Sequence, residues 1–355
     1  MGTNSAGGLA SHRMPPPTLL SVPNVSEGRS QSTIEAIASA FAPRPDPTPA
    51  SRTDAPIARP PEVQLLDVHS DADHHRSVFT LRGPQGSIAE ALLAGAQVAV
   101  ERIDVMHRLD EGPPGQHPHV GAIDVVPIVY LDPQSRGAAC AEALVVAEML
   151  AEELQLPVFL YGELTADDSH PARSRAELRR GGPLNLARRM AAAEDQGQRA
   201  APLATAPGAP PASALRGLQP DFGPPLMHPT AGATLVAARP PLVAFNLQLA
   251  PPATLDDARA IATLIREGGR EGLPGLRAIG VYLGGGVAQV SMNVERPFEL
   301  PLVAVLEAVR RHGEVASAEL VGLAPAVAFE GFPEDLPMPG FDPARHLIEN
   351  ALGSE

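Results

Sequence analysis

Histidines beside glycine and proline are the residues most suited to chemistry in this 355-residue sequence. Residues 115–127 have the sequence GQHPHVGAIDVVP, in which His117 lies between Gln116 and Pro118, just ahead of an apolar run. An unperturbed imidazole titrates at about pH 6.5, so a histidine held in place can accept and return a proton near neutrality. A histidine here can equally be structural, and the residues alone favour neither role.

A second polar segment, residues 69–76, has the sequence HSDADHHR. Its three histidines and two aspartates are residue types that ligate zinc or manganese, but they share one short loop and no second anchor such as an HExxH helix accompanies them. One interpretation is a metal site. The other, which we favour, is a polar turn between two strands in which His69 faces a site and no metal is bound.

Two further segments place polar residues beside glycine or proline. Residues 22–29, VPNVSEGR, join a strand to a helix and are interpreted either as a helix cap or as a ligand-facing loop whose N–H groups attract an anion. Residues 220–239 begin with PDFGP, continue to a GAT triplet and end at Arg239. They are either a linker or a glycine-spaced segment that lets the backbone approach a flat ligand, with Phe222 available for stacking.

These four segments resemble, in order, those of the glutamate formiminotransferase family. The shared features are VPNxSEG, an LLDV strand followed by a polar turn, a GxHPxxGAxDVVP stretch, and PDFGP followed by GAT. Further blocks are YGE at 161–163, LVAFN at 242–246, AQVSMN at 288–293 and ELVGL at 319–323. The resemblance extends from about Leu20 to Leu323, and so many collinear blocks imply a common fold and activity.

The resemblance implies a transferase that moves the formimino group of N-formimino-L-glutamate to N5 of tetrahydrofolate, in histidine degradation and one-carbon metabolism. It implies His117 as the catalytic acid/base and tetrahydrofolate as co-substrate, without a metal, in an enzyme that forms a homodimer. Supporting positions are Asn24, Glu27, His69, Asp124 and Arg239. The implied folate-binding stretch is Gly223, Pro224, Pro225, Leu226, Met227, His228, Pro229, Thr230, Ala231 and Gly232.

The sequence departs from the family pattern around His117. The family has Glu before the HP pair and Arg-Met after it, whereas this chain has Gln116, His119 and Val120. Loss of the carboxylate is expected to lower the basicity of His117, and loss of the arginine removes a group that binds anions. His75 also replaces an asparagine of the family. Two alternatives follow: formyl transfer or 5-formyltetrahydrofolate-related activity in the same pocket, and a folate-binding relative that has lost catalysis.

The elements that must position these residues follow a β-α-β-β-α-β-α-β order in the first half and a β-α-β-β-α-β order, typical of a ferredoxin-like fold, in the second. We therefore expect an α/β (α+β) protein with two ferredoxin-like subdomains, mixed sheets and a ligand cleft between them. The predicted strands are 19–25, 63–69, 77–81, 122–131, 158–161, 242–249, 277–283, 287–294 and 315–323, and the predicted helices are 30–42, 87–106, 138–154, 254–267 and 301–312.

Composition shifts suggest the domain boundaries. Residues 1–17 are expected to be a disordered lead-in, 18–239 an N-terminal subdomain, 240–330 a C-terminal subdomain and 331–355 a tail with a short helix. Within the first subdomain, a Pro-rich insertion is expected at 43–61. Residues 169–220 are expected to contain a short helical patch and a flexible loop at about 184–219. The glycines at 284–286 lead into a strand and are interpreted as a hairpin turn rather than a phosphate loop.

The overall composition limits the function classes. The net charge of −14 argues against a general nucleic-acid-binding protein. All 27 Lys and Arg residues are arginine, so no lysine is available for Schiff-base chemistry and substrate carboxylates must bind to arginine or to backbone N–H groups. The single cysteine, Cys140, excludes an intramolecular disulfide framework, and no apolar run reaches membrane-spanning length. We expect a cytoplasmic protein with small-molecule substrates and neither nucleic-acid nor membrane partners.

Overall fold

The computed structural model describes residues 15–42, 63–107, 117–165, 173–198 and 217–353. Two β-sheets, each covered by helices, make up most of this part. The first sheet contains β1 (Thr18–Ser21), β2 (Asn24–Val25), β3 (Gln64–Asp71), β4 (Arg76–Pro84), β5 (Ile123–Tyr130), β6 (Val158–Gly162) and β7 (Thr234–Arg239). Its helices are α1 (Gln31–Phe41), α2 (Ile88–Arg102), α3 (Arg136–Leu154), α4 (Arg175–Leu178) and α5 (Gly182–Gln198).

The first part of this sheet has ferredoxin-like topology. Strands β1 and β2 both pair with β4 on one side and β5 on the other, so they act as one strand interrupted at Pro23. With β3 paired to β4, the spatial order is β3, β4, β1/β2, β5, and every neighbour is antiparallel. Strands β7 and β6 then extend the sheet beyond β5 through parallel pairs. The extension is what makes the sheet mixed, as predicted.

The second sheet contains β8 (Val243–Leu249), β9 (Leu276–Leu283), β10 (Val287–Val294) and β11 (Val315–Val321), with helices α6 (Leu255–Ile265) and α7 (Leu302–Arg310). Its order, β11-β8-β10-β9, confirms the ferredoxin-like prediction. The prediction of a mixed sheet is wrong here, because all its pairs are antiparallel. Each helix crossover joins two parallel strands, but a third strand always lies between them, so every neighbour runs the opposite way.

Helices bury apolar faces against the sheets. In α1, the Ser30 side chain accepts a hydrogen bond from the Thr33 N–H and so caps the helix, which buries Ile34, Ile37 and Phe41. On the opposite face of the first sheet, Leu186 and Met190 of α5 join an apolar cluster with residues of β5, β6 and β7. Strand β5 is consequently buried on both faces, as expected of a strand covered by helices on one side and protein on the other.

Helix α5 corrects the prediction of a flexible loop at about 184–219, of which residues 199–216 lie outside the described residues. The segment is alanine-rich, and alanine is the best helix former. Leu186 and Met190 are four residues apart and share the buried face. Most of the predicted lead-in and the whole 43–61 insertion also fall outside the described residues.

The tail folds back onto the first sheet. It contains α8 (Pro343–His346) and α9 (Ile348–Ala351), and Ile348 packs with Leu20, Val129 and Leu323. A backbone bridge between Ala324 and Leu347 fixes this return. In the part of the chain that the structure describes, no helix combines the length and the apolarity needed to cross a membrane.

Candidate active site

A cleft lies where the two sheets face one another. The first sheet and its loops contribute His69, Asp71, His74, Arg76, Val78 and His117 to the lining, and the second contributes Ala244, Asn246, Ser291, Met292, Asn293 and Val321. A second, larger cavity adjoins it, shares Arg76 and Asn293 with it, and extends to Asn24, Arg175 and Arg239. Two adjoining cavities therefore lie where a cleft between the two subdomains was predicted.

His117 contacts the guanidinium group of Arg76. Arg76 Nη1 lies 2.8 Å from His117 Nε2. A guanidinium can only donate, so Nε2 must accept this hydrogen bond and the neutral ring carries its proton on Nδ1. Burial, followed by the charges of Arg76 and Arg179, holds the pKa of His117 well below its usual value. His117 is therefore a neutral imidazole whose Nε2 is covered by a cation.

The loop that carries His117 is held by a buried ion pair at the start of β5. Asp124 accepts a hydrogen bond from the Val120 N–H at 2.9 Å and pairs with Arg179 through both carboxylate oxygens. Asp124 is 2 % and Arg179 5 % exposed. Because each group is almost fully desolvated, each depends on the other for stabilisation. Asp124 thus positions the loop and does not face the cleft.

Gly121 permits a close approach of backbones beside this loop. It forms a bridge with Gly232, and an added Cβ would lie 1.9 Å from the Ala233 carbonyl oxygen. Backbone cannot yield as a flexible side chain can.

We therefore expect Gly121→Ala to lower the free energy of unfolding by at least about 1–3 kcal/mol, the usual cost of overpacking. Urea denaturation measures this. Gly137→Ala is the control, because nothing lies within 4 Å of a Cβ at that helical position; equal stability of the two variants would contradict the prediction.

His69 lies at the other side of the cleft with a carboxylate partner. Its Nε2 is 3.3 Å from Glu319 Oε1, and Glu319 Oε2 accepts a hydrogen bond from Asn246 Nδ2 at 2.8 Å. Burial raises the pKa of Glu319, but the hydrogen bonds from His69 and Asn246 outweigh it and the net shift is downward. Glu319 is thus an anion whose two oxygens are already oriented.

Arg239 and Asn24 belong to the larger cavity. The Asn24 Oδ1 and Arg239 Nε atoms are buried and make no hydrogen bond within the described residues. Burial lowers the pKa of Arg239 to about 10 and that of Arg76 to about 9. Such unsatisfied polar groups are costly unless a ligand completes them. Asn24 and Arg239 therefore place polar atoms without a hydrogen-bond partner among the described residues at the larger cavity.

Glu27 has a different role from the one suggested by its place in the VPNVSEG block. It is 2 % exposed, and its Oε1 accepts hydrogen bonds from the N–H groups of Arg29 and Ser30. His75 Nδ1 lies 3.5 Å from the same oxygen. Glu27 therefore fixes the turn that leads into α1.

The stretch predicted to bind folate does not line either cavity between the sheets. Gly223 and Pro224 border a separate pocket beside α3, next to Glu148 and Glu152. At the other end, His228 Nδ1 accepts hydrogen bonds from the Thr230 and Ala231 N–H groups, and Gly232 bridges to Gly121. Only the end near Gly232 approaches the loop that carries His117.

The three histidines of residues 69–76 contact different partners. His69 contacts Glu319, His74 Nε2 is 3.2 Å from Gln289 Nε2, and His75 accepts a hydrogen bond from the Gly28 N–H. Across the described ranges, no group of three or more His, Cys, Asp or Glu side chains is arranged to hold a metal ion. The tight turn separates the rings by making successive side chains face different elements.

Several residues that line the cleft or contact its lining were not singled out from the sequence. Arg76 ends the HSDADHHR segment, and Asn246, Asn293 and Glu319 lie within the LVAFN, AQVSMN and ELVGL blocks. Their place in those blocks was the sequence feature that could have identified these residues. Their strands β8 and β11 pair so that Asn246 is opposite Glu319, which makes the contact between them.

Comparisons with known proteins agree with this architecture. Residues 18–239 match the family model for the formiminotransferase domain, N-terminal subdomain. The chain is 34% identical to a glutamate formimidoyltransferase of Streptococcus pyogenes over 339 residues, which cover 93% of this chain and 97% of the relative. It is 29% identical to a glutamate formimidoyltransferase of Thermoplasma acidophilum, covering 86% of this chain and 88% of the relative.

A longer protein is also similar. The formimidoyltransferase-cyclodeaminase of Gallus gallus is 33% identical over 318 residues, which span 86% of this chain but 50% of that protein. The matched segment of the family model contains His117, Asp124 and Arg239 and covers more than half of this chain. The chain therefore belongs to the formiminotransferase family.

Proposed function

We propose that the protein is a glutamate formimidoyltransferase, which transfers the formimino group from N-formimino-L-glutamate to N5 of tetrahydrofolate. The observation that carries the proposal is the position of His117. Its neutral imidazole lies at a cleft between the two sheets, and the charged groups that line this cleft include an arginine. The similarity to named transferases over 93% of the chain supports the same chemistry. The products are 5-formiminotetrahydrofolate and L-glutamate.

The donor's two carboxylates match the cations of the larger cavity. Arg76, Arg175 and Arg239 line it, and in the described part of the chain no carboxylate lies within 4 Å of a guanidinium nitrogen of Arg76 or Arg239. Guanidinium groups bind carboxylates through paired, charge-assisted hydrogen bonds. Asn24 Oδ1 and Thr80 Oγ1 add unsatisfied polar atoms at the same place. We assign the donor's carboxylates to this cavity.

Donor binding would also prepare the base. In the structure, Arg76 donates a hydrogen bond to His117 Nε2. A carboxylate that recruits Arg76 releases this nitrogen, which can then accept the proton of N5 as N5 attacks the formimino carbon. The tetrahedral intermediate collapses when the bond from carbon to the glutamate nitrogen breaks and that nitrogen gains a proton. One proton has then moved from N5 to glutamate.

Fewer contacts of the described residues define a position for the acceptor, tetrahydrofolate. Within the predicted folate-binding stretch, Ala231 and Gly232 adjoin the His117 loop. The Ala231 carbonyl accepts a hydrogen bond from the Ala122 N–H, and Gly232 forms a bridge with Gly121. We therefore propose that tetrahydrofolate approaches His117 from this end of the stretch. The pocket beside Gly223 contains two glutamates and is poorly suited to the acidic tail of a folate.

The direct test incubates purified protein with tetrahydrofolate and N-formimino-L-glutamate and measures both glutamate release and 5-formiminotetrahydrofolate. We expect turnover with the formimino donor and little with N-formyl-L-glutamate. Preferred use of the formyl donor would identify the alternative enzyme. Folate binding without any turnover would identify a non-catalytic relative and refute the proposal.

Arg239→Met should raise KM for the donor about 10–100-fold, since a charge-assisted hydrogen bond contributes about 1.5–3 kcal/mol and 1.4 kcal/mol is tenfold. The expected change in kcat is smaller, because the carboxylate is remote from the reacting carbon. Steady-state kinetics with varied donor measure both. Arg259→Met is the matched control, because its side chain is 62% exposed on α6; an unchanged KM in Arg239→Met would remove Arg239 from the donor site.

A further inference from the structure

We propose that His69 is a second proton-transfer residue of this site, oriented by Glu319, and that it protonates the glutamate nitrogen as that group leaves. The inference rests on the proposed function and deepens it, because it divides between two histidines the acid and base roles that the family resemblance gives to His117 alone. His69 would be a catalytic residue, and Glu319 a positioning residue that acts through it.

The geometry of His69 is that of an imidazole held by a carboxylate. Glu319 offers Oε1 to His69 Nε2 at 3.3 Å, while Asn246 occupies Oε2 at 2.8 Å. The asparagine amide fixes the carboxylate plane, because Asn246 and Glu319 are paired residues of neighbouring strands. An imidazole oriented in this way by an acid is a recurring arrangement for proton transfer.

Access distinguishes this pair from a buried structural contact. The side chains of His69 and Glu319 are 24% and 25% exposed, and His69 lines the same cleft as His117. Glu319 is not among the lining residues, so the carboxylate stands behind the imidazole with respect to the cleft. A ligand in the cleft would meet His69 first.

The electrostatic settings of the two histidines are opposite. His117 adjoins Arg76 at 2.8 Å and is further influenced by Arg179, so a proton on its ring meets repulsion from two cations. His69 has an anion beside it that can compensate a proton. The other ionisable groups around the cleft are Asp71 and His74, and burial lowers the pKa of His74. One imidazole beside cations and another beside an anion, in the same cleft, suit the separate roles of base and acid.

The proton balance closes without another reactant. His117 takes the N5 proton as the new N–C bond forms. Protonated His69 gives its proton to the glutamate nitrogen as the old C–N bond breaks, and the bonding electrons go to that nitrogen. His117 is then protonated and His69 neutral. Loss of a proton from His117 to solvent and gain of one by His69 restore both residues.

His69→Gln tests the role directly. Glutamine can still donate a hydrogen bond to Glu319 but cannot transfer a proton, so a purely structural tie between the sheets should survive. We expect kcat to fall about 10²-fold, within the range for loss of a general acid, while KM for both substrates and the melting temperature change little. A rate within threefold of the wild type would overturn the proposal.

Chemical rescue supplies a second readout. In His69→Ala, added imidazole should restore kcat with saturation, because the site is accessible from the cleft. His312→Ala is a matched control: His312 lies 2.8 Å from Glu271 with the same 24% exposed side chain, but it does not line the cleft. We expect His312→Ala to keep its rate and to be insensitive to imidazole. Failure of rescue together with a lowered melting temperature would assign His69 a structural role.

Glu319→Gln tests the positioning residue. The amide keeps a hydrogen-bond acceptor for His69 but removes the negative charge beside it, so kcat should fall while KM for both substrates and the melting temperature change little. A kcat equal to that of the wild type would overturn the role of Glu319. If the wild-type protein itself released no glutamate, the proposed function would fail and this inference with it, whereas an active wild type with unaffected His69 variants refutes the inference alone.

Discussion

Replacement of His117 by alanine is expected to lower kcat for formimino transfer by about 10²–10⁴, the usual contribution of a positioned general acid or base. The affinity for tetrahydrofolate should change little, because in the proposed mechanism the imidazole acts on the reacting nitrogen and is not the main contact of the pterin or its tail. Glutamate release and equilibrium folate binding, measured on the same preparation, separate the two effects.

His119→Ala is the control for this variant. His119 lies two residues further along the same loop, its Nδ1 is 3.5 Å from the His117 carbonyl oxygen, and it does not line the cleft. It should lose far less activity. A His117→Ala protein that transfers the group at a rate near that of the wild type would remove His117 from the mechanism and leave only the assignment to the family.

The pH profile gives an independent check on His117. A base must be neutral to accept a proton, so activity falls on the acid side as His117 becomes protonated. Since burial and two arginines lower its pKa, the acid limb of kcat/KM should lie below the roughly 6.5 of a free imidazole. An unperturbed imidazole would place that limb near neutrality. Removal of the Arg76 charge by Arg76→Met should move the limb back toward higher pH.

Much of the fold could be predicted because local pattern and burial agree. Strands β8 to β11 and helices α6 and α7 follow the predicted order, and α6 has the Thr254–Asp257 capping box that its sequence suggests. Strand β7 was missed because it begins two residues after Gly232 and its role depends on β5 and β6, which flank it. A local sequence pattern does not predict which distant segments pair.

The site shows the same division. His117 and His69 could be named as candidates because histidine beside proline, or in a polar turn, is a local signal, and both line the cleft. The contact between Arg76 and His117 joins residues 41 positions apart, and it exists only because β4 and the His117 loop meet at one end of the first sheet. Nor can the sequence show that Gly223 lies beside α3 while Gly232 lies beside Gly121, since the chain turns at His228 between them.

Removal of the Asp124 carboxylate should have the largest effect on stability. Asp124→Ala leaves Arg179 charged and buried and deprives the Val120 N–H of its acceptor. Breaking a buried pair on one side costs about 3–5 kcal/mol. Urea denaturation measures the loss, and activity should fall with it because the His117 loop loses its anchor.

An ion pair on the protein surface provides a control. Arg296 and Glu299 form an ion pair on the surface, with side chains 55% and 72% exposed and 3.7 Å between the charged atoms. Solvent and salt screen such a pair, so Glu299→Ala should change the free energy of unfolding by less than about 1 kcal/mol. Equal losses from the two variants would mean that the Asp124 pair is not desolvated as the structure has it.

A double variant separates the cost of an isolated charge from the value of the pair. In Asp124→Leu with Arg179→Met, no buried charge is left alone and apolar side chains fill the space, so much of the lost stability should return. Activity should not return with it, because leucine cannot accept the Val120 N–H hydrogen bond that holds the loop behind His117. Recovery of both stability and activity would show that the ion pair contributes only to folding, whereas recovery of stability alone assigns Asp124 to the positioning of the catalytic loop.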